Sequence, residues 1–322
     1  NTPLTTDNFA INPEILVIAN TKEMVQQIHS EYQRFSKYLN LNILSFVGGI
    51  PIENDITTIK NNQNTRIVIG TAGRILHLIK NNHLNLSFLR IFIADEIDHL
   101  FSTNEHRWSV QQIFLKTPVQ KQTMFFTATL NDDCKEKILL FLKNPFILQV
   151  DVLSNLTLHG LDQGYLNITN DKKDDKLIEL IDNIPAISQC VIFLENNFKC
   201  KQLEKFLISQ GLPSISITSE YSTEERMLRF NSFKSFNYRF LITTNLMARG
   251  IDIAEINLVI NYDMPRDANT YLHRVGRAGR FETMGVAISF ISSEEDIIVL
   301  NEVQERFDVS IKEIKLGHGT SV

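Results

Sequence analysis

The run Leu89–Asp98, L-R-I-F-I-A-D-E-I-D, constrains this chain more than any other stretch. Five of its first six residues are apolar, the pattern of a strand buried on both faces of a parallel sheet. Asp95, Glu96 and Asp98 follow at once. In open α/β sheets ligands bind beyond the carboxyl ends of the strands. One carboxylate there can hold a Mg²⁺-water cluster while a second polarises an attacking water, and phosphoryl transfer needs both. The same acids also suit a solvated turn or the first turn of a helix, where the helix dipole favours negative charge. The run alone leaves both readings open.

Strand-like runs alternate with helical patterns along the whole chain. In the first half the strands are expected at Ile15–Ala19, Ile43–Phe46, Arg66–Ile69, Leu89–Ala94, Thr123–Phe126 and Phe146–Val150. Thr21–Lys37 spaces Met24, Val25, Ile28, Tyr32 and Phe35 as a helix does, with Thr21 as its N-cap. Pro51 suits the first turn of a helix running to Asn61, and Arg74–Lys80 and Asp132–Leu142 read as two more. The alternation lapses over 151–160 and then resumes. The expected organisation is therefore one α/β domain over 1–150, a linker over 151–160 and a second domain over 161–322, each a mainly parallel sheet flanked by helices. A chain of 322 residues accommodates two such domains.

Charge and cysteine usage narrow the class. A net charge of -5 argues against a broad basic surface, though it leaves room for nucleic acid held by backbone amides, helix N-termini and a few arginines. No apolar run is long enough to span a bilayer and no secretory leader pattern opens the chain. The 3 cysteines form no C-x-x-C pair, which points away from a zinc site or disulfide scaffold and toward a reducing intracellular compartment.

The most specific motif is Tyr271–Arg280, Y-L-H-R-V-G-R-A-G-R. Gly276 and Gly279 allow tight turns, and Arg277 and Arg280 then project as planar forks matched to phosphate oxygens. The bland alternative is a basic helix end that satisfies its own last carbonyls.

His273–Arg280 resembles the last signature of the DEAD-box RNA helicases, and Asp95-Glu96-Ile97-Asp98 resembles their acidic box. The other signatures follow in the family's order. Asn20-Thr21-Lys22-Glu23 is similar to the first RNA-contacting motif, with Lys for Arg. Gly48-Gly49 matches the glycine pair, Thr71-Ala72-Gly73-Arg74 matches Thr-Pro-Gly-Arg with Ala for Pro, and Thr127-Ala128-Thr129 matches Ser-Ala-Thr. Thr244-Asn245 and Ala248-Arg249-Gly250-Ile251-Asp252 match the motif that meets both RNA and nucleotide. Arg34–Tyr38, Leu156–Leu161 and Asn261–Pro265 look most like the eukaryotic DECD-type helicases of pre-mRNA splicing and mRNA export, which have Cys where this chain has Ile97.

The resemblance implies two RecA-like lobes and an ATP-dependent RNA helicase, with ATP and Mg²⁺ as ligands and RNA bound without sequence specificity as single strand or duplex. Asp95 would hold Mg²⁺ through water and Glu96 would deprotonate the attacking water. Arg277 and Arg280 would act as arginine fingers, each kind of group worth on the order of 10³–10⁵ in rate. Gly250 and Asp252 would contact the nucleotide. Thr21, Lys22, Gly49, Thr71, Arg74 and Thr244 would contact the RNA backbone, and Asp98, Thr127, Thr129 and His273 would couple RNA binding to hydrolysis. A monomer in the nucleus, with splicing or export partners and no membrane association, completes the implied picture.

Two departures matter. No Gly-Lys dipeptide occurs, so a G-x-x-x-x-G-K-[ST] phosphate loop is absent. The family's adenine-reading Gln motif is absent too. The chain opens on Asn1 and enters a buried strand almost at once, so both are expected upstream, the first lobe is expected to be incomplete at its N-terminus, and these residues alone should hydrolyse ATP hardly at all. At Thr218–Arg226 only Arg226 remains of an RNA-contacting helix. The alternative to a helicase is a degenerate helicase-like module that binds RNA or protein without ATPase activity.

Overall fold

The computed structural model describes residues 10–128, 130, 132–148, 161–184, 187–245, 256–278 and 285–314. The chain divides into two compact units, Asn1–Ile147 and Leu148–Val322. The linker expected at 151–160 lies outside the described residues.

The first unit runs β1 (Ile15–Ala19), α1 (Lys22–Phe35), β2 (Asn42–Phe46), α2 (Ile52–Asn61), β3 (Thr65–Thr71), α3 (Ala72–Lys80), β4 (Ile91–Ala94), α4 (Ile97–Leu100), α5 (Asn104–Phe114), β5 (Gln122–Phe125) and α6 (Asp132–Leu139). Its sheet has the order β2-β3-β1-β4-β5, and every strand pair among the described residues is parallel. Alternate residues enter two cores. Leu16, Ile18, Phe46, Val68 and Phe92 point to one, and Val17, Ala19, Ile43, Ile67 and Ile69 to the other. Burial on both faces explains why these strands read as unbroken apolar runs. Each such side chain contributes roughly 1.5–3 kcal/mol on burial. Gly70 is required by closeness: a Cβ there would lie 2.6 Å from Ile75 Cδ1 and 2.8 Å from the Phe46 carbonyl oxygen.

The two edges of this sheet differ. Ile43, Leu44 and Phe46 of β2 are buried, whereas every residue of β5 is at least partly exposed. The strand expected at Phe146–Val150 is not seen in its described part. Phe146, Ile147 and Leu148 are exposed and no ladder pairs them among the described residues, so apolar character alone does not make a strand without a neighbour to bond. Helix α5 has no counterpart in the sequence reading. Its apolar face is short, and it is fixed by the Thr103 cap and by packing of Phe114 edge-on to Phe92 at 5.3 Å.

The second unit runs β6 (Leu161–Asn167), a 3₁₀ turn (Asn170–Lys172), α7 (Lys173–Asn183), β7 (Gln189–Phe193), α8 (Asn197–Ser209), β8 (Ser214–Ile217), α9 (Thr223–Lys234), β9 (Phe240–Thr243), β10 (Ile256–Asn261), α10 (Ala268–Val275), β11 (Gly285–Ile291), α11 (Glu294–Phe307) and β12 (Lys312–Glu313). Its sheet has the order β12-β6-β11-β10-β7-β9-β8, again parallel throughout the described residues. Val191, Phe193, Leu241, Val259 and Ala287 fill one face, and Cys190, Ile192, Ile242, Ile260 and Phe290 the other. Cys134, Cys190 and Cys200 are free and buried. Burial pushes the Cys134 thiol up to about 11 and the Cys200 thiol up to about 12, and that of Cys190 well above the ordinary range. No helix of the described residues is long and apolar enough to cross a membrane.

Candidate functional site

In the first unit the chain leaves β1 toward β2 on one side, and leaves β4 toward β5 on the other. The carboxyl ends of β1 and β4 therefore flank the place where the connections reverse, the usual ligand crevice of an open parallel sheet. Asn20, Thr21 and Lys22 follow β1, and Asp95 and Glu96 follow β4. Gly49 lies after β2, Thr71 ends β3, and Thr127 lies after β5. Thr21, Lys22, Gly49, Thr71, Asp95, Glu96 and Thr127 thus share one edge of one sheet, contributed by five strands.

Local chemistry holds them there. Thr21 caps α1, its hydroxyl accepting from the Met24 amide at 3.2 Å. Gly49 has φ 81°, the left-handed region that favours glycine. Thr71 is the extended N-cap residue of α3. Asp95 donates its backbone amide to the Ile18 carbonyl at 3.0 Å and accepts the Glu96 amide at Oδ1, 2.9 Å. Glu96 has φ 50° and ψ 53°, a left-handed conformation costing a non-glycine residue of order 1–3 kcal/mol. That turn presents Glu96 between β4 and α4, and the Ile97 amide then bonds to the Phe126 carbonyl at 3.0 Å, tying the acidic turn to the end of β5. Burial, and after it the charge of Asp98, raises the Asp95 carboxyl above its ordinary value, although the Glu96 amide opposes the shift. Asp98 lies 3.3 Å from His99 Nε2.

Arg74, expected as an RNA contact, is held among protein partners. Its side chain is 8% exposed. Nη1 donates to Asp55 Oδ2 at 2.9 Å and Nη2 donates to the Ile50 carbonyl, so the guanidinium fastens the segment after Gly49 to α2 and α3.

In the second unit the connections reverse between β7 and β10. Glu195 and Asp263 follow those strands. Asp263 is buried and accepts from Lys173 Nζ at 3.0 Å, from Lys199 Nζ at 3.4 Å and from the Glu195 amide at 3.0 Å. Burial acts to raise its carboxyl, but the Glu195 amide and Lys173 outweigh that and hold it below the ordinary value. Thr244 follows β9. Asp267 caps α10 by accepting from the Thr270 amide at 2.8 Å. His273, in the last turn of α10, is buried, and Arg277 Nε donates to the His273 carbonyl at 3.1 Å. The helix-end role weighed for this arginine is therefore occupied. Thr129, Gly250, Asp252 and Arg280 lie outside the described residues.

The family models agree with this layout. Residues 6–137 match the DEAD/DEAH box helicase model and residues 172–282 the helicase conserved C-terminal domain. The chain is 46% identical over 301 residues to the ATP-dependent RNA helicase WM6 of Drosophila melanogaster, covering 93% of this chain and 70% of that protein. The chain belongs to the DEAD-box helicases. Against the ATP-dependent RNA helicase sub2 of Neosartorya fischeri, identity is 44%, with 94% of this chain and 69% of that protein covered. Among solved structures, Saccharomyces cerevisiae Dbp5 bound to RNA and ADP BeF3 matches with TM-score 0.84 and 26% identity, covering 96% of this chain and 79% of that one. A DEAD box protein from Methanococcus jannaschii matches with TM-score 0.53 and 27% identity, covering 96% and 82%. The RecA-like, two-lobed α/β fold expected from the sequence is the fold of these DEAD-box proteins.

The sequence reading of this DEAD-box chain assigned no role to Arg274, Asn261, Asp263 or Lys173, which form the buried polar joint at the end of β10. One signal was available: the apolar run Ile256–Ile260 closes on Asn261-Tyr262-Asp263, with two polar residues where a buried strand would continue apolar.

Proposed function

We propose that this DEAD-box protein is an ATP-dependent RNA helicase that couples ATP hydrolysis to local unwinding of RNA or remodelling of RNA–protein complexes. The observation that carries the reading is the set of strand ends in the first unit. Acidic residues and candidate phosphate-backbone contacts share one sheet edge, flanking its point of reversal. Family membership and the names of WM6 and sub2 support the activity. The Dbp5 complexes carry RNA and ADP BeF3, which supports the two ligand classes.

In this reading Glu96 takes the proton from the attacking water, its carboxylate presented by the left-handed turn. Asp95 would hold Mg²⁺ through water. The fit lies in Asp95 itself: a carboxyl kept above its ordinary value by burial and by Asp98 is one a cation relieves. Bound Mg²⁺ supplies charge neutralisation on the phosphates. Arg277 and Arg280 contribute positive charge to the γ-phosphate, and Gly250 and Asp252 contact the nucleotide. Thr21, Lys22, Gly49, Thr71 and Thr244 hold the RNA sugar-phosphate backbone, and such contacts carry no sequence information. Arg74 serves the same surface by fixing the segment after Gly49. Asp98, Thr127, Thr129 and His273 link RNA occupancy to hydrolysis. Resemblance to the DECD-type helicases supports a nuclear location and action as a monomer in splicing and export, with protein partners of those pathways.

The deciding substitution is Glu96→Gln in the full-length protein. RNA-stimulated ATP turnover is expected to fall by at least about 10², the usual contribution of a general base, while ATP-dependent retention on RNA persists. Turnover at the wild-type rate would remove Glu96 from its assigned role. A wild-type protein that binds RNA but shows no RNA-stimulated turnover would instead establish the ATPase-free module.

A further inference from the structure

The guanidinium of Arg274 is among the largest fully buried side chains of the described residues, and the proposed function gives it no role. Its surroundings are built for it. Nε donates to Asn245 Oδ1 at 2.8 Å, and Nη1 donates to Asn261 Oδ1 at 3.1 Å and to the Asp263 carbonyl at 2.7 Å. Its face lies over Phe193, 5.1 Å from the ring centroid. Asn261 is itself fixed, because its Nδ2 donates to Ser289 Oγ at 3.0 Å and so turns its oxygen to the arginine. The Asp263 carboxylate faces Lys173, Lys199 and the Glu195 amide, so it is the Asp263 backbone that receives Arg274. A planar fork with donors in fixed directions meets three neutral oxygens from two stretches of chain, a geometry that lysine cannot reproduce.

Arg274 itself lies in α10, and Asn261 and Asp263 lie at and just past the end of β10. The remaining stretch is different. Asn245 is solvent-exposed, and it is the residue after Thr244, at the end of β9. Thr243 Oγ1 donates to the Ile217 carbonyl at 2.8 Å and anchors the strand up to that point. Beyond it, Arg274 bonds Asn245 to α10. His273 lies in the last turn of the same helix and Arg277 just past its end, with the Arg277 amide bonded to the Arg274 carbonyl at 3.1 Å.

We infer that Arg274 is a positioning residue: through Asn245 it fixes the proposed RNA contact Thr244 relative to the helix end beside which the proposed phosphate contact Arg277 lies. The functional half of this inference rests on the helicase reading above, and the geometric half does not. RNA bound at Thr244 and nucleotide bound at Arg277 then sense one another through this buried fork, and coupling passes through Asn245.

The test uses Asn245, whose exposed side chain can be changed without opening the core, in the full-length protein. Asn245→Ala removes the acceptor. Asn245→Asp restores one that bonds a guanidinium at least as well. Three readouts are taken: RNA-stimulated ATP turnover, anisotropy of a fluorescein-labelled oligouridylate, and hydrogen exchange at the Thr244 and Asn245 amides. Losing a hydrogen bond to a charged group shifts an equilibrium by about tenfold or more. Asn245→Ala is expected to speed exchange at those amides and to lower RNA-stimulated kcat by about that factor, with the KM for ATP and the unfolding temperature unchanged. Asn245→Asp is expected to retain both properties, and Arg274→Lys combined with Asn245→Ala is expected to be no worse than the worse single variant. Full stimulation in Asn245→Ala with accelerated exchange would overturn the functional half. Unchanged exchange in Asn245→Ala would overturn the joint itself, whatever the ATPase shows. A wild-type protein without RNA-stimulated turnover would defeat the helicase reading, while the exchange comparison still decides the joint.

Discussion

Asp95 and Asp263 hold matching places in the two units. Each follows a central strand of a parallel sheet at the point where the connections reverse; Asp263 is buried and Asp95 half-buried. They are treated in opposite ways. Asp263 is met by Lys173, Lys199 and a backbone amide, and its carboxyl is held low. Asp95 has the Glu96 amide at one oxygen and the charge of Asp98 nearby, and its carboxyl is pushed up. The second crevice is filled with its own counter-charge and works as a joint. The first sets one backbone amide against burial and a like charge, so its carboxyl stays above the ordinary value. The lesson is that a shared fold position does not confer a shared chemistry; the neighbours decide it.

The same substitution at the two positions should therefore act with opposite sign. Asp263→Asn leaves Lys173 buried without its counter-ion and is expected to destabilise the second unit by about 3 kcal/mol, the scale for breaking one half of a buried pair. Native-state hydrogen exchange at Val259 and Ile260 reads this directly, and a loss below about 1 kcal/mol would dissolve the contrast. Asp95→Asn keeps the oxygen that accepts the Glu96 amide and removes the burdened charge. Exchange at Val17 and Ile18 should slow by an amount on the order of 1 kcal/mol, as when an active-site charge is removed, while ATP turnover falls.

The pH dependence follows from the same two directions. The folded Asp263 carboxyl lies below its ordinary value of 3.8, so its contribution is complete above that value and is lost as pH falls through the depressed one. The folded Asp95 carboxyl lies above 3.8, so its penalty is complete above the raised value and vanishes as pH falls to 3.8. Asp95→Asn should flatten the pH dependence of the first unit in that upper window and leave the second unit alone. The smallest effect is expected at Lys199, which is 44% exposed and 3.4 Å from Asp263. Lys199→Ala should cost less than about 1 kcal/mol, the range for a solvated pair, and a larger loss would mean that Lys173 is not the dominant counter-ion.

The strands were legible because burial on both faces writes them as unbroken apolar runs, and the candidate residues at their ends because signature motifs fall there in order. Helix α5 was not, since what fixes it is a cap and one aromatic contact rather than a repeating face. Phe146–Leu148 was misread because apolar character was taken for pairing. The two clamping arginines were missed for a common reason. Arg74 finds Asp55 19 residues away, and Arg274 finds Asn245 29 residues away, so their partners have no local spacing to read. A guanidinium destined for burial looks, in sequence, like one destined for a ligand.

The three buried, high-pKa thiols carry a practical consequence. A maleimide reacts with thiolate at the surface, and this chain offers next to none of its own. A cysteine placed at Val119, which is 98% exposed, and another at Leu228, 70% exposed, would therefore take a donor and an acceptor dye against a silent background, and single-molecule energy transfer could follow both units through a catalytic cycle without first stripping the native residues.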